Sequence, residues 1–202
     1  MDDIEQRRSN SQPKHKKHII TITGKPGSGK STTSKAVASE LSYRHFSSGD
    51  LFRSIGNERG VNVLQANLSG EHDSSIDHLV DQRLRDIGAE EDNMVIDSRT
   101  AWHWMPFSFK VYLDLDLLTA AERIILSTDL ARLETEHISN DPKEYTVALQ
   151  QRLDSEARRY KKLYDVNPYD ISNYDLVIDT KINNTEQTVV LVLSRFHDWL
   201  KA

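Results

Sequence analysis

The stretch that decides the fold spans residues 24–31 and reads Gly24-Lys25-Pro26-Gly27-Ser28-Gly29-Lys30-Ser31. It matches the pattern G-x-x-x-x-G-K-[ST] at every position and stands between an apolar run over 19–23 and a helical pattern over 31–41. Glycines allow backbone angles that larger residues resist, so successive N–H groups can turn inward and surround phosphate oxygens at the positive end of the following helix. The stretch therefore predicts a phosphate-binding loop at a strand-to-helix turn.

Each part of this loop has an expected contact with ATP and Mg²⁺. Lys30 is expected to bridge the outer phosphates, and the Ser31 hydroxyl to bind the metal ion that accompanies them. The magnesium site is therefore assigned to Ser31. The residues expected to hold ATP are Gly24, Lys25, Pro26, Gly27, Ser28, Gly29, Lys30, Ser31 and Thr32.

Short β-rich runs alternate with helical stretches along the rest of the chain. Helical patterns occupy 50–90 in two or three pieces, then about 118–130, 143–164 and 185–200. Such alternation argues for an α/β fold in which helices cover both faces of a parallel sheet. We expect the three-layer sandwich of the P-loop NTPases with a five-stranded parallel sheet. The strand candidates are 19–23, 44–47, 94–96, 109–113 and 176–178.

Length and charge limit the possible functions. The 202 residues suffice for one compact domain, which we place at 18–202 behind a disordered polar tail over 1–17. The net charge is −5, and −7 without the tail, so a nucleic-acid polymer is not an expected partner. No stretch approaches the roughly 18 apolar residues that would span a bilayer, and residues 1–17 lack the apolar segment of a signal peptide. We therefore expect no membrane partner and a cytoplasmic location. As the oligomeric state we favour a monomer.

A phosphate-binding loop alone leaves several classes of nucleotide-binding protein open. The chain contains no D-x-x-G and no N-K-x-D, so the guanine-specific switch proteins lose their main support. A kinase for small phosphorylated molecules needs cations on the acceptor side as well as on the donor side. A kinase of this kind would therefore carry basic side chains at a second anion-binding site.

Two arginines follow predicted strand ends. Arg53 closes the stretch Ser47-Ser48-Gly49-Asp50-Leu51-Phe52-Arg53, in which Asp50 is expected to cap the next helix. Arg99 closes the turn Asp97-Ser98-Arg99. Ligands bind at the carboxyl ends of strands in an open α/β sheet, so both arginines are expected near the phosphate loop. A surface ion pair is the alternative for each of them.

These elements resemble the nucleoside monophosphate kinases, most closely the compact cytidylate kinase-like branch, over roughly 18–200. The stretch 47–53 is similar to the family's [ST]-x-G-[DE]-hydrophobic-hydrophobic-R element, which implies that Arg53 binds the acceptor phosphate. The turn 97–99 resembles the family's acidic-Gly-Arg turn, with Ser98 in place of the glycine, and implies acceptor contacts on either side of that serine. The acceptor-binding residues are thus expected to be Ser48, Gly49, Asp50, Arg53, Asp97 and Arg99.

Another pair of arginines, Arg152 and Arg159, occupies the long helical pattern near the end of the chain. Seven residues apart, they share a helix face about 10 Å apart along its axis. The family resemblance implies that they belong to a lid over the polyphosphate, whereas Glu156 between them allows an ordinary ion-pair ladder on a solvated face. The resemblance also implies a helical acceptor-binding insert over 54–93, the lid over 131–151, and residues 181–184 near the ATP base.

We expect an ATP- and Mg²⁺-dependent kinase whose acceptor is a nucleoside monophosphate, CMP or dCMP. No protein nucleophile is needed, since an acceptor phosphate oxygen attacks directly, and catalysis consists of positioning and charge neutralisation. The expected catalytic residues are Lys30, Arg99, Arg152 and Arg159. Two alternatives stay open: a kinase for AMP, UMP or another small metabolite, and a catalytically silent nucleotide-binding regulatory module that reaches a partner through its basic tail.

Overall fold

The computed structural model describes residues 16–58, 75–128 and 139–202. The predicted polar tail lies almost entirely outside the described residues, as do part of the predicted acceptor-binding insert, 59–74, and part of the predicted lid, 129–138. The described ranges contain the whole phosphate-binding loop and both predicted acceptor arginines.

A parallel sheet forms the centre of the molecule. Its strands are β1 (Ile19–Gly24), β2 (Arg44–Ser47), β3 (Met94–Asp97), β4 (Phe109–Asp114) and β5 (Leu176–Asp179). Within the described residues they form one five-stranded sheet in the order β2-β3-β1-β4-β5, and every neighbouring pair is parallel. The predicted five-stranded parallel sheet is confirmed, with four of the strands extending one residue beyond their predicted ends.

Helices connect the strands. They are α1 (Lys30–Leu41), α2 (Ser48–Glu58), α3 (Ser75–Glu90), α4 (Ala101–Trp104), α5 (Leu117–Ser127), α6 (Pro142–Tyr164) and α7 (Thr185–Lys201). The long helices lie where the helical periodicity predicts them, whereas the single turn α4 is too short to show a period and is not predicted. Of the helices described, none combines the length and the apolar character that a membrane crossing requires.

The start of α2 corrects one expectation. The helix begins at Ser48, so Asp50 lies in its first turn and not at the capping position. The Ser47 hydroxyl, at the end of β2, accepts the hydrogen bond from the Asp50 N–H at 3.3 Å and so takes the capping role. The Asp50 carboxylate instead forms an ion pair with Arg53.

Apolar side chains fill both faces of the sheet and make the fold a three-layer sandwich. On one face, Ile20 of β1 packs with Val37 of α1 and Phe196 of α7. On the other face, Ile19 of β1 packs with Leu84 of α3. All five side chains are fully buried, and each such burial contributes about 1.5 to 3 kcal/mol. Neighbouring residues of β1 thus serve opposite layers, as the two-residue period of a strand requires.

The carboxyl ends of the central strands meet at one edge of the sheet. The register pairs Ile22 of β1 and Ser47 of β2 with Asp97 of β3, and Gly24 of β1 with Leu113 of β4. The phosphate loop, which follows β1, therefore starts between the ends of β3 and β4. The start of α2 and the turn after β3 come to the same edge, so the topology brings the donor loop and both predicted acceptor segments together.

Candidate active site

The backbone of the phosphate loop requires its glycines. A Cβ atom on Gly24 would lie 2.3 Å from the carbonyl oxygen of Leu113, closer than any side chain tolerates. Gly29, the residue before α1, has a φ of 84°, in the left-handed region that residues with a Cβ rarely adopt. Close approach to β4 at one end and a left-handed turn at the other end thus define the shape of the loop.

The loop fits a phosphate group. Ser28 is 1% exposed, and its Oγ has no hydrogen-bond partner among the described residues. A buried polar group without a partner costs about 1 to 3 kcal/mol, so an oxygen anion in the loop would stabilise it. The N-terminus of α1 follows directly, and Gly29 offers no side chain to cap its N–H groups. Those N–H groups favour an anion at the same place.

Three polar side chains meet where the loop adjoins the end of β3. The Lys30 ammonium donates to the Lys25 carbonyl oxygen at 3.0 Å, and burial followed by the neighbouring Arg99 guanidinium lowers the pKa of Lys30 to about 8. The Ser31 hydroxyl donates to Oδ2 of Asp97 at 2.5 Å. A hydroxyl beside a carboxylate is an oxygen pair of the kind that Mg²⁺ binds together with nucleotide phosphates. Ser31 and Asp97 therefore fit the magnesium ion that the loop motif implies.

Two of the predicted ATP contacts are constrained by their surroundings. The Lys25 ammonium lies 2.7 Å from Oδ1 of Asp114 and 3.1 Å from the carbonyl oxygen of Leu115, so the end of β4 holds this side chain. Pro26 is buried and has no backbone N–H to donate. Both residues shape the loop, and their direct contact with ATP stays a prediction.

A cavity beside the phosphate loop extends to the segment after β5. Arg123 of α5 donates to the Thr180 carbonyl oxygen at 2.7 Å and so joins α5 to the end of β5. The cavity is lined by Gly29, Thr32, Arg123, Thr180, Asn183 and Asn184, among others. It thus connects predicted phosphate-binding residues with two of the residues predicted to lie near the ATP base.

A second cavity lies between α2, α3, α6 and the turn after β3. Six of the predicted residues line it: Ser48, Gly49, Arg53, Arg99, Arg152 and Arg159. The predicted acceptor arginines and the predicted lid arginines therefore share one cavity. Among the described residues, Asp50 and Asp97 are not part of this lining. Asp50 pairs with Arg53, and Asp97 contacts Ser31 on the donor side, so their contact with the acceptor stays a prediction.

The ion pairs of Glu156 do not lie on a solvated face of α6. The Glu156 side chain is 4% exposed, and its two oxygens lie 2.5 Å from Nε of Arg99 and 3.0 Å from Nε of Arg152. The Tyr169 hydroxyl also donates to it. Burial alone would raise the pKa of this carboxyl, but the two arginines and the tyrosine hold it at about 2. Glu156 is therefore an ionised carboxylate that joins α6 to the turn after β3.

Two carboxylates of α3 complete the acceptor-side cavity. Asp81 is buried and accepts hydrogen bonds from Thr100 Oγ1 at 3.0 Å, from Trp104 Nε1 at 2.9 Å, and from the Tyr164 hydroxyl. Asp77, one helical turn earlier, is also buried and lies 3.4 Å from Nε of Arg159. Asp81 thus holds neighbouring elements in place, whereas Asp77 pairs with a cavity arginine.

Asp77, Asp81 and Tyr169 are not among the residues predicted from the sequence. The sequence does contain a signal for the two aspartates. They stand four residues apart, and each directly follows an apolar residue of a helical pattern, Ile76 or Val80. A carboxylate beside a buried helix face needs a hydrogen-bond or ion-pair partner, so this pattern predicts polar contacts at both positions. Tyr169 lies in a loop without periodicity, and its contact with Glu156 depends on the fold alone.

Comparisons with known proteins show the family to which the chain is similar. A family model described as an AAA domain matches residues 23–129, more than half of the chain. The chain is 40% identical over 162 residues to a cytidylate kinase of Haloarcula marismortui, covering 80% of each protein. It is 36% identical to a cytidylate kinase of Methanothrix thermoacetophila, covering 80% of this chain and 88% of that protein.

Solved structures share the fold. A shikimate kinase from Bacteroides thetaiotaomicron superimposes with a TM-score of 0.58 at 16% identity, covering 91% of this chain and 98% of that one. A gluconokinase from Sinorhizobium meliloti gives a TM-score of 0.59 at 15% identity, covering 93% and 96%. The predicted α/β P-loop kinase fold and the predicted resemblance to cytidylate kinases are confirmed. The chain belongs to the cytidylate kinase family of P-loop kinases.

Proposed function

We propose that this protein transfers the γ-phosphoryl group of ATP to CMP or dCMP in a Mg²⁺-dependent reaction. The observation that carries the proposal is the meeting of the donor loop and the acceptor-side cavity at one group of cations. Arg99 and Arg152 line that cavity, and their charges also act on the pKa of Lys30 in the phosphate loop. The choice of cytosine as the base is supported by the relatives, which are named cytidylate kinases.

On the donor side, the phosphate loop would hold ATP. Its backbone N–H groups and the start of α1 would surround the inner phosphates, and the Lys30 ammonium would bind the outer ones. Ser31 and Asp97 would hold Mg²⁺, which when bound offsets phosphate charge. The cavity that reaches Asn183 and Asn184 has space beside the loop for the rest of the nucleotide.

On the acceptor side, the start of α2 would bind the phosphate of the monophosphate. Ser48 and Gly49 form the first turn of this helix, where N–H groups without intrahelical partners favour an anion. Arg53 lines the same cavity one turn later and adds a full charge. Its ion pair with Asp50 is exposed to solvent, so a phosphate can take the place of the carboxylate at little cost.

Transfer brings two anions together, and the chain's part is to position them and to offset their charge. Lys30 approaches the transferred group from the donor loop, while Arg99 and Arg152 approach it from the acceptor-side cavity. An oxygen of the acceptor phosphate attacks the γ-phosphorus, and ADP leaves, so no side chain forms a covalent intermediate. A catalytic part for Arg159, which pairs with Asp77, stays a prediction.

An assay of ADP release with CMP, dCMP, UMP, AMP and no acceptor tests the proposal. We expect turnover that depends on the acceptor and is fastest with CMP or dCMP. Equal ADP release with and without an acceptor would contradict a kinase function. Nucleotide binding without turnover of any acceptor would instead support a silent regulatory module. The monomeric state, the cytoplasmic location and the exclusion of nucleic-acid polymers stay predictions.

A further inference from the structure

The turn after β3 contains Ser98 at the position where the family pattern has a glycine, and the proposed reaction gives this serine no part. Ser98 is 3% exposed. Its Oγ accepts hydrogen bonds from the N–H of Thr100 at 3.2 Å and from the N–H of Ala101 at 3.3 Å. A glycine would make neither contact. A buried hydroxyl with two backbone partners, directly before Arg99, calls for an explanation.

We propose that Ser98 is a positioning residue for phosphoryl transfer. Its hydroxyl closes the backbone turn at Arg99 and so fixes the point from which the arginine side chain enters the site. This inference rests on the proposed function, because Arg99 is one of the cations assigned to the transferred group. Ser98 acts through Arg99 and makes no contact with a nucleotide itself.

The Ser98 hydroxyl takes the place of a helix cap. Helix α4 begins at Ala101, and Thr100 before it provides no side-chain cap, since its own hydroxyl donates to Asp81 at 3.0 Å. The N–H groups at the start of a helix have no intrahelical partner, and Thr100 and Ala101 are both buried. Loss of the Ser98 hydroxyl would therefore leave two buried donors without an acceptor and would allow the turn to shift.

The peptide groups on both sides of Arg99 are held as well. The carbonyl oxygen of Ser98 accepts from Oγ1 of Thr23 at 2.7 Å, and Thr23 directly precedes the phosphate loop. The carbonyl oxygen of Arg99 accepts from Nε1 of Trp102 at 2.9 Å. Side-chain hydrogen bonds thus fix the turn at several points, and one of them joins it to the strand that carries the donor loop.

The position of this backbone decides where the guanidinium of Arg99 points. The hydrogen bonds that the described residues make with this side chain are at its Nε, which lies 2.5 Å from Glu156 and 3.3 Å from the Tyr169 hydroxyl. Attachment at one atom allows the terminal nitrogens to pivot, so a shift of the Arg99 Cα atom moves them away from the transferred group. A misplacement of about 1 Å at a reacting group costs up to about 100-fold in rate.

Replacing Ser98 by alanine, alone and together with Arg99→Ala, tests the assignment. The measurement is kcat and KM for CMP at saturating ATP in wild type, both single variants and the double variant. We expect Ser98→Ala to lower kcat by at least about 10-fold with a smaller change in KM. In the Arg99→Ala background the same replacement should lower kcat by less than about 2-fold, because the side chain that Ser98 positions is gone.

Two kinetic outcomes would overturn the inference. Equal losses of kcat from Ser98→Ala in both backgrounds would show that the serine acts independently of Arg99. A higher KM with an unchanged kcat would show that the hydroxyl contacts the acceptor directly. In either case wild type still phosphorylates CMP, so the proposed function stands.

Ser108→Ala is the matched control. Ser108 follows α4, is fully buried, and donates to the Met105 carbonyl oxygen at 2.7 Å. Its replacement removes a buried hydroxyl near the other end of the same helix. We expect both serine variants to lower the melting temperature by a similar amount and only Ser98→Ala to lower kcat. If Ser108→Ala lowers kcat as much, the effect of Ser98 is one of general stability and the inference fails.

A measurement without substrate separates this inference from the proposed function. NMR of isotope-labelled protein follows the Nε–H of Arg99, whose signal is assigned by its absence in Arg99→Ala. This hydrogen faces Glu156 and Tyr169, so it should exchange slowly with water. Ser98→Ala should speed the exchange by at least about 5-fold, the effect of a lost helix cap.

An unchanged exchange rate in Ser98→Ala would overturn the inference even where CMP is phosphorylated. Wild type without acceptor-dependent turnover would instead overturn the proposed function, and the exchange rate would then decide by itself whether Ser98 holds Arg99 in place.

Discussion

Nε of Arg99 lies 2.5 Å from Oε2 of Glu156, and this contact joins the turn after β3 to helix α6. Arg152 approaches the other carboxylate oxygen, also through Nε, at 3.0 Å. The described residues form no hydrogen bond with the terminal nitrogens of either guanidinium. Both arginines are therefore oriented by one buried carboxylate, and the part of each that matches two phosphate oxygens stays available.

Replacing Glu156 by glutamine should lower kcat more than it raises KM for CMP. The amide loses the charge that holds both arginines, and a small misplacement of groups at a transferred phosphoryl costs up to about 100-fold in rate. Steady-state kinetics at saturating ATP measure the effect. Asp154→Asn removes an exposed carboxylate of the same helix and should leave both constants near their wild-type values. If the two variants changed kcat and KM equally, Glu156 would not be the residue that positions Arg99 and Arg152.

The pH dependence of stability gives a second prediction for Glu156. Its pKa falls from an ordinary 4.5 to about 2 in the folded chain. A carboxylate shifted in this direction stabilises the fold above its unfolded pKa and loses that contribution as the pH falls towards the folded pKa. The difference in unfolding free energy between wild type and Glu156→Gln should therefore be constant above pH 6 and shrink by about 1 kcal/mol by pH 3.5. Urea unfolding at several pH values measures it, and a difference that does not change with pH would contradict the assigned charge state.

The fold follows from local sequence features, which is why its prediction succeeds. The apolar run of β1, the glycine loop and the helix from Lys30 are contiguous in the chain, so a single window contains the whole strand-to-helix turn. Strand ends depend on hydrogen bonds to neighbouring strands, as when Gly24 pairs with Leu113, and such partners cannot be read from one segment. Helix α4 has only 4 residues, which is too short for a helical period to show in the sequence.

The cations of the candidate site and Asp97 are predicted from the sequence, whereas the buried carboxylates Asp77 and Asp81 are missed. Arg53 and Arg99 stand beside strand ends, where topology alone brings them to the ligand edge. In the sequence, Glu156 fits an ion-pair ladder on a solvated helix face. In the structure it is buried and pairs with Arg99, which is 57 residues away in the chain, and a partner so distant cannot be recognised from the helix alone. Tyr169 reaches the same carboxylate from a loop. Long-range packing of this kind has no periodic signature in the sequence.

Arg53→Ala should mainly weaken acceptor binding. Removing a charge-assisted contact with a phosphate costs about 1.5 to 3 kcal/mol, so we expect KM for CMP to rise by about 10- to 100-fold with a smaller change in kcat. Arg83→Ala is the matched control, since Arg83 also pairs with a carboxylate but lies outside the acceptor-side cavity. Unchanged KM in Arg53→Ala would show that the acceptor phosphate binds elsewhere.

Ser31→Ala should raise the Mg²⁺ concentration needed for half-maximal activity. The hydroxyl lies 2.5 Å from Asp97, and its loss removes one oxygen of the proposed metal site while the glycine backbone of the loop stays intact. A magnesium titration at fixed ATP measures the shift, which we expect to be at least about 5-fold, the effect of one lost polar contact. Ser39→Ala, on the exposed part of the same helix, should give the wild-type curve. If the two variants behave alike, Ser31 is not a metal ligand.

Lys30→Ala should abolish transfer while the fold persists. The ammonium contacts the Lys25 carbonyl oxygen at 3.0 Å and lies among the charges of Arg99 and Asp97, so its removal takes one cation from the centre of the site. Loss of one preorganised charge at a transition state costs about 100- to 1,000-fold in kcat, which ADP release at saturating CMP would detect. Lys35→Ala removes an exposed ammonium of the same helix and should keep wild-type activity. Burial lowers the pKa of Lys30, so removing this desolvated charge should not reduce the melting temperature by more than a few degrees. If the activity of Lys30→Ala were within a factor of about 3 of the activity of Lys35→Ala, Lys30 would not be a residue that binds the transferred phosphoryl group.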